Sequence, residues 1–180
     1  MSDKKFIQHI KGYVLGIGIF MIIIPTGLFL CTKIYDGKIF TDSAVQVWVQ
    51  NGLALLLFSW GILFVIWSNT FLFFKGKGGP TEGLGIAVSP KTQKLVTTGP
   101  YHYTRNPMVF GMLSVYYSMM IFLNSLAGLG IVICITVLAT IYIKMSEEKR
   151  LRSDFGDEYV QYIKEVSMII PIPRKLFKKI

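Results

Sequence analysis

The chain has 180 residues, of which 52% are apolar and 16% are charged, and its formal net charge is +9. Its charges fall in blocks separated by long uncharged stretches, a pattern that soluble domains of this size seldom show. The two histidines and two cysteines are widely separated, so we predict no metal site. The positive charge comes with no nucleic-acid-binding signature, and we predict no nucleic-acid partner.

Uncharged stretches of membrane length indicate the fold class. Residues 12–32 and 43–74 are uncharged, and each is long enough to cross a bilayer as a helix. The first is too long for a cleaved signal peptide and is expected to remain in the mature protein. Residues 107–143 are also uncharged but are interrupted at Asn124-Ser125, which predicts two short helices joined by a tight turn.

These elements together predict an all-α integral membrane protein, multi-pass, with about four transmembrane helices. The last two form a C-terminal helical hairpin, which is followed by a cytoplasmic amphipathic tail. We divide the chain into residues 1–74, which hold the two N-terminal spans, and residues 75–180, which hold the functional core.

The distribution of basic residues predicts the orientation in the membrane. Residues 75–105 contain five basic residues and one acidic residue, whereas residues 33–42 are balanced. Lys and Arg near span ends are retained on the cytoplasmic side. We therefore expect the N-terminus, the loop at 75–105 and the C-terminus to be cytoplasmic, where their charge suits anionic lipid headgroups.

Two polar segments flank the predicted hairpin. The first, residues 94–108, reads Lys-Leu-Val-Thr-Thr-Gly-Pro-Tyr-His-Tyr-Thr-Arg-Asn-Pro-Met, and the second contains Glu147-Glu148 and then Phe-Gly-Asp-Glu-Tyr at 155–159. Antiparallel helices of similar length bring these segments together, so residues 105–107 are expected near Glu147. A helix that starts at Pro107 would expose amides that favour an anion, and Glu147 could hold an ammonium group.

Each motif also has an ordinary structural interpretation. Glu148 and Arg152 are spaced i, i+4 and could form a surface ion pair contributing only about 0.3–0.5 kcal/mol. The Gly99-Pro100 and Asn106-Pro107 pairs could be turns that lead into a span. The order and spacing of all the motifs together favour the functional interpretation.

In that order and spacing, residues 72–173 resemble the isoprenylcysteine carboxyl methyltransferase and phospholipid methyltransferase families, with an Arg-Asn-Pro sequence similar to their microbial branch. The resemblance implies a membrane enzyme that transfers a methyl group from S-adenosylmethionine to a lipid or lipidated substrate. It implies that Arg105 orders the loop and that Glu148 is structural. The cofactor-binding residues that it implies are Gln93, Lys94, Leu95, Val96, Tyr101, Asn106, Pro107, Met108, Val109 and Glu147. The first four would act mainly through backbone groups.

The sequence leaves open which molecule is the acceptor and whether an oxygen or a nitrogen is methylated. The carboxyl methyltransferases usually carry an Arg four residues before the cofactor-binding Glu, where this chain has Ile143, which argues against a prenylated protein as substrate. A carboxylate acceptor is already ionised at pH 7. An amine must first lose a proton, and His102 is the side chain near the motif with a suitable ordinary pKa. The candidate catalytic residues are Arg105 and His102. The lack of a convincing base favours a carboxylate or another acceptor of low pKa.

Two other classes of protein remain as alternatives. NADPH-dependent membrane sterol reductases have a related Tyr, Arg and Pro pattern before a hairpin, although this chain is short for a dinucleotide site. A non-catalytic scaffold or a small transporter is the second alternative. A transporter should have more polar residues in its spans than Asn51, Asn69, Ser59 and Ser118. No obligate protein partner is evident from the sequence.

We predict that reporters fused after Lys91 and at the C-terminus will be cytoplasmic and that one near Gly37 will be external. The reason is that basic residues cluster around Lys91 and the C-terminus. Activity of a compartment-specific reporter in whole cells checks this. An external signal after Lys91 would contradict the charge argument.

Overall fold

A computed structural model describes residues 3–34, 39, 44–77 and 92–177. Apart from one isolated bridge between Thr104 and Ser167, these residues are helical or irregular, which confirms the all-α prediction. The α-helices are α1 (Asp3–Ile17), α2 (Ile24–Ile34), α3 (Ala44–Phe71), α4 (Pro107–Phe122), α5 (Leu126–Tyr142), α6 (Glu148–Glu165) and α7 (Arg174–Phe177).

Short π-helical turns join several of these helices into longer rods. Gly18–Ile23 connects α1 to α2, Leu72–Gly76 continues α3, and Ile143–Glu147 connects α5 to α6. A 3₁₀ turn at Gly99–His102 precedes α4. The orientation prediction rests on residues 33–42 and 75–105, of which residues 35–38, 40–42 and 78–91 lie outside the described residues.

Among the described residues, three helices are long and apolar enough to cross a membrane: Ile10–Ile34, Val45–Gly76 and the apolar part of Leu126–Glu165. The helix α4 is apolar but shorter. Large apolar side chains on these helices are exposed, among them Ile22, Leu55 and Leu138. A helix satisfies its own backbone hydrogen bonds, and apolar side chains on its exterior make it compatible with lipid.

The predicted hairpin of α4 and α5 is present. The chain turns at Asn124, whose φ of 53° is left-handed, a conformation that Asn tolerates better than most residues. The Ser125 hydroxyl oxygen then caps α5 by accepting a hydrogen bond from the Gly128 amide at 3.0 Å. Pro107 is the first residue of α4, as predicted, where it needs no hydrogen-bond partner for its nitrogen.

The helices α3 and α4 pack closely because glycine occupies both sides of their contact. A Cβ atom built on Gly61 would lie 2.7 Å from the Gly111 carbonyl oxygen, and one built on Gly111 would lie 2.6 Å from the Gly61 carbonyl oxygen. Interhelical hydrogen bonds reinforce the contact: Ser118 Oγ donates to the Ala54 carbonyl at 2.9 Å, and Gln50 Nε2 donates to the Ile121 carbonyl at 2.9 Å. Small residues with polar cross-links are a general means of helix association in membranes.

We predict that Gly111→Ala will destabilise the protein by about 1–3 kcal/mol, because the added methyl group meets backbone atoms of α3 that cannot move independently. Gly130→Ala in α5 is the matched control, since a Cβ there has open space around it. Thermal unfolding of the purified proteins in detergent measures both. Equal unfolding temperatures for the two variants would show that the close approach of α3 and α4 is not required.

Candidate active site

A cavity of about 310 Å³ lies between the long helices and the segment that precedes α4. One part of its wall carries the charged side chains of Arg105, Glu147 and Arg150. Another part is apolar and includes Phe20 and Ile24 from the rod that contains α1 and α2, together with Met112 from α4. The cavity therefore offers both a charged environment and a hydrocarbon-like one.

The cavity wall includes most of the residues singled out from the sequence. These are Leu95, Val96, Tyr101, Arg105, Asn106, Pro107, Met108, Val109 and Glu147. The hairpin brings the start of α4 and the end of α5 together, so the predicted proximity of residues 105–107 to Glu147 is realised in the fold.

Three sequence-predicted residues are not part of the wall. The side chains of Gln93 and Lys94 are exposed, and the Gln93 amide donates to the Gly76 carbonyl at 2.8 Å. His102 is also exposed, and its ring contacts that of Tyr103 with 5.3 Å between centroids. The 3₁₀ turn at residues 99–102 directs Tyr101 into the cavity wall but not the residue that follows it.

Arg105 and Glu148 form a buried ion pair beside the cavity. Arg105 Nη1 lies 2.6 Å from Glu148 Oε1, and each side chain is only 8% exposed. The surface pair of Glu148 with Arg152 that the spacing allowed is thus replaced by a buried pair with Arg105. A π-helical turn adds a residue to the helix and so shifts the faces on either side of it. Because Ile143–Glu147 forms such a turn, α6 starts with Glu148 facing the protein interior.

The C-terminal tail holds the segment before α4 in place. The amides of Arg105 and Asn106 donate to the carbonyls of Ser167 and Met168 at 2.9 and 3.1 Å, and the Ile172 amide donates to the Tyr103 carbonyl at 3.0 Å. These bonds satisfy backbone groups that the irregular segment leaves unpaired. This role of the tail was not predicted from the sequence.

Asn106 is drawn towards the tail and does not cap α4. Its Nδ2 donates to the Met168 carbonyl at 3.0 Å, and its side chain makes no capping bond to the helix. The amides of Met108 and Val109, at the second and third positions of α4, are therefore not capped by Asn106. Because these residues line the cavity, the positive end of the α4 dipole is available to an anion there.

Tyr101 is held rigidly and stays neutral. Its carbonyl accepts a hydrogen bond of 2.6 Å from the Tyr162 hydroxyl on α6. Burial raises the pKa of the Tyr101 phenol well above its usual range, and the negative charge of Glu147 acts in the same direction. At neutral pH its hydroxyl is thus a hydrogen-bond donor at the cavity.

The cavity wall also contains polar side chains that were not predicted from the sequence, among them Asn69 and Arg150. Arg150 lies three residues after Glu147, and the i, i+3 spacing on one helix is a signal that could have indicated it. Asn69 lies on α3, far from the motifs in sequence, and only the packing of α3 against α4 places it at the cavity.

The family model described as phospholipid methyltransferase matches residues 49–158. This match covers more than half of the chain, and the protein belongs to the phospholipid methyltransferase family. It is therefore an integral membrane methyltransferase, and the match gives no support to a sterol-reductase-like enzyme or a transporter. No curated protein and no solved structure matches the chain.

The matched region extends further towards the N-terminus than the motifs do. It begins inside α3 and so takes in part of the segment assigned to the N-terminal spans, and it ends before the tail at residues 166–173. The contribution of α3 to the cavity wall gives a physical reason for including it.

Proposed function

We propose that this protein transfers the methyl group of S-adenosylmethionine to a lipid-borne acceptor in the cavity beside α4. The observation that carries the proposal is the composition of that cavity. It combines an acidic side chain, an uncapped helix N-terminus and an apolar section between membrane helices. The first two suit a zwitterionic methionine group, and the third suits a hydrocarbon chain.

The cofactor's methionine part has one cation and one anion, and the cavity has a partner for each. The Glu147 carboxylate would hold the ammonium group through charge-assisted hydrogen bonds. The amides of Met108 and Val109 would hold the carboxylate at the positive end of α4. Leu95 and Val96 would contribute an apolar wall. Gln93, Lys94 and His102 are not needed for this binding mode.

When bound, S-adenosylmethionine supplies a methyl group on a positively charged sulfur. The residues around it would orient the two reactants, which alone accounts for a large part of the acceleration in such transfers. The apolar lining would exclude water, and neutralisation of charge between an anionic acceptor and a sulfonium is favoured in a water-poor site.

The acceptor that best suits this cavity is a carboxylate carried on a lipid. His102, the candidate base from the sequence, is exposed and absent from the cavity wall, and Tyr101 is held neutral by its raised pKa. An acceptor that is already ionised requires neither group. Phe20, Ile24 and Met112 would enclose its hydrocarbon chain. Ile143, buried in the cavity wall, offers no positive charge to a prenylcysteine carboxylate.

We also propose that the charged part of the cavity opens to the cytoplasm, in keeping with the basic residues of the loop and both termini. This orientation would give the site access to the soluble cofactor supply and at the same time to chains dissolved in the bilayer.

We expect Glu147→Gln to weaken binding of S-adenosylhomocysteine by roughly ten- to hundredfold, the loss of one charge-assisted hydrogen bond of about 1.5–3 kcal/mol. Isothermal titration calorimetry in detergent measures the affinity. Glu148→Gln changes the adjacent acid, which pairs with Arg105, and should weaken binding less than Glu147→Gln does. It should lower the unfolding temperature more than Glu147→Gln does, since it leaves a buried charge without its partner. An unchanged affinity for Glu147→Gln would remove Glu147 from the site.

We expect membranes that contain the protein to transfer label from methyl-labelled S-adenosylmethionine into organic-extractable lipid. If the acceptor is a carboxylate, mild alkali will release the label as methanol, because the product is a methyl ester. Label that alkali does not release as methanol would instead indicate N-methylation. A farnesylcysteine analogue should be a poor acceptor. Efficient methylation of that analogue, or label only in water-soluble products, would contradict the proposed acceptor.

A further inference from the structure

The rod that contains α1 and α2 lines the cavity with one of its faces. Four residues of this face, spaced three or four apart in the chain, belong to the cavity wall: Tyr13, Ile17, Phe20 and Ile24. Side chains at this spacing lie on the same side of a helix. The rod is tied to α4 at this level, because the Tyr116 hydroxyl donates to the Phe20 carbonyl at 2.7 Å. The rod therefore presents a row of side chains to the cavity over about 15 Å.

Tyr13 is the polar member of this row. The other three side chains are apolar, whereas Tyr13 ends in a hydroxyl. It lies near the start of the span Ile10–Ile34 and is half-buried, so part of its side chain is accessible. Within residues 3–34, 39, 44–77 and 92–177, no group forms a hydrogen bond with the Tyr13 hydroxyl. This hydroxyl can therefore donate to a molecule in the cavity without giving up a bond to that part of the chain.

The hydroxyl of Tyr13 lies in the charged region of the cavity. Burial raises the pKa of the Tyr101 phenol, and Glu147 and then Tyr13 raise it further through their charges. Because such an effect weakens with distance, the polar ends of these three side chains lie near one another. Glu147 is the residue proposed to hold the ammonium group of the cofactor. Tyr13 thus marks the place where the apolar row of the rod meets the proposed cofactor site.

A lipid that ends in a carboxylate has the complementary chemistry. Its hydrocarbon chain would lie along Ile17, Phe20 and Ile24, and its head group would then reach Tyr13. A hydrogen bond from a phenol to a carboxylate is charge-assisted and stronger than one between neutral groups. A carboxylate has two oxygens, so one can accept this bond while the other is available for methylation.

The cofactor is a less suitable partner for Tyr13. In the proposed binding mode, Glu147 and the start of α4 already provide partners for its ammonium and carboxylate groups. The family model begins at residue 49, so Tyr13 lies outside the region that matches the family. A residue that selects the acceptor need not lie in the part that members of the family share.

We propose that Tyr13 is a specificity-determining residue that donates a hydrogen bond to the carboxylate of the acceptor lipid. This inference rests on the proposed function for the reaction, and it gives α1 a part in selecting the acceptor. The head group and the hydrocarbon chain would be recognised at the two ends of one helix face.

The direct test uses two ligands with the same hydrocarbon chain and different head groups. Palmitate carries a carboxylate, whereas hexadecanol carries an uncharged hydroxyl. In the presence of saturating S-adenosylhomocysteine, Tyr13→Phe should bind palmitate roughly ten- to hundredfold less tightly than the unmodified protein does. Its affinity for hexadecanol should change much less, because a hydrogen bond between neutral groups is weaker. Isothermal titration calorimetry of the purified full-length proteins in one detergent gives the four affinities.

Tyr117→Phe is the matched control. It removes the same atom from a tyrosine of α4 that is not part of the cavity wall and whose hydroxyl lies 3.0 Å from Thr136 Oγ1. Its affinities for palmitate and hexadecanol should equal those of the unmodified protein. An equal loss of palmitate affinity in Tyr117→Phe and Tyr13→Phe would overturn the assignment to Tyr13.

Two further measurements separate a role in binding from a role in the fold. Without ligand, Tyr13→Phe should unfold at the same temperature as the unmodified protein, and its affinity for S-adenosylhomocysteine without palmitate should be unchanged. With palmitate added, the rise in unfolding temperature should be smaller in Tyr13→Phe. A lower unfolding temperature without ligand, together with an unchanged palmitate affinity, would mean that Tyr13 serves the fold and not the acceptor.

The remaining outcomes separate this inference from the proposed function. If Tyr13→Phe weakens S-adenosylhomocysteine as strongly as palmitate, Tyr13 contacts the cofactor and the acceptor assignment is wrong. If it weakens palmitate and hexadecanol equally, Tyr13 does not recognise the carboxylate. If the unmodified protein binds S-adenosylhomocysteine but not palmitate, this inference alone is overturned. If it does not bind S-adenosylhomocysteine, the proposed function is overturned and this inference with it.

Discussion

The ion pair between Arg105 and Glu148 is the constraint on which the rest of the site depends. It joins the segment before α4 to the start of α6, and both side chains are almost fully enclosed. Removing one partner from such a buried pair typically costs about 3–5 kcal/mol, because the other charge is left without compensation. The pair fixes the end of the α5 rod against the start of α4, and so it determines where the adjacent Glu147 lies. The two neighbouring acids thus have different environments: Glu148 is buried against Arg105, and Glu147 lines the cavity.

The C-terminal tail supports this arrangement from the other side. An irregular backbone segment near the apolar interior needs partners for its amides and carbonyls, and the tail provides them for residues 103–106. The same contact attracts the Asn106 side chain, which leaves the first amides of α4 uncapped. A structural demand of the loop therefore produces the positive helix end at the cavity. The tail acts through backbone bonds, which explains how it can contribute without a distinctive side-chain motif.

The helix α3 links the membrane part of the protein to its methyltransferase motifs. Its close contact with α4 through Gly61 and Gly111 places Val65 and Asn69 in the cavity wall. The rod that contains α1 and α2 completes the apolar section, and the Tyr116 hydroxyl donates to the Phe20 carbonyl of this rod at 2.7 Å. A family whose members act in membranes needs a site that meets both water and lipid. The cavity described above has charged and apolar side chains in its wall, which suits such a requirement.

The sequence by itself determined the all-α class, the hairpin with its turn at Asn124, the helix start at Pro107 and the family. These features depend on residues that are close together in the chain: the length of apolar stretches, the conformational preferences of Asn and Pro, and the spacing of motifs. Only the tertiary structure decided which partner Glu148 takes, that His102 lies outside the cavity and that Asn69 lies at it. Those outcomes depend on which face of each helix points inward. A single π-helical turn or one pair of facing glycines changes that face, and neither effect is visible in the local sequence pattern.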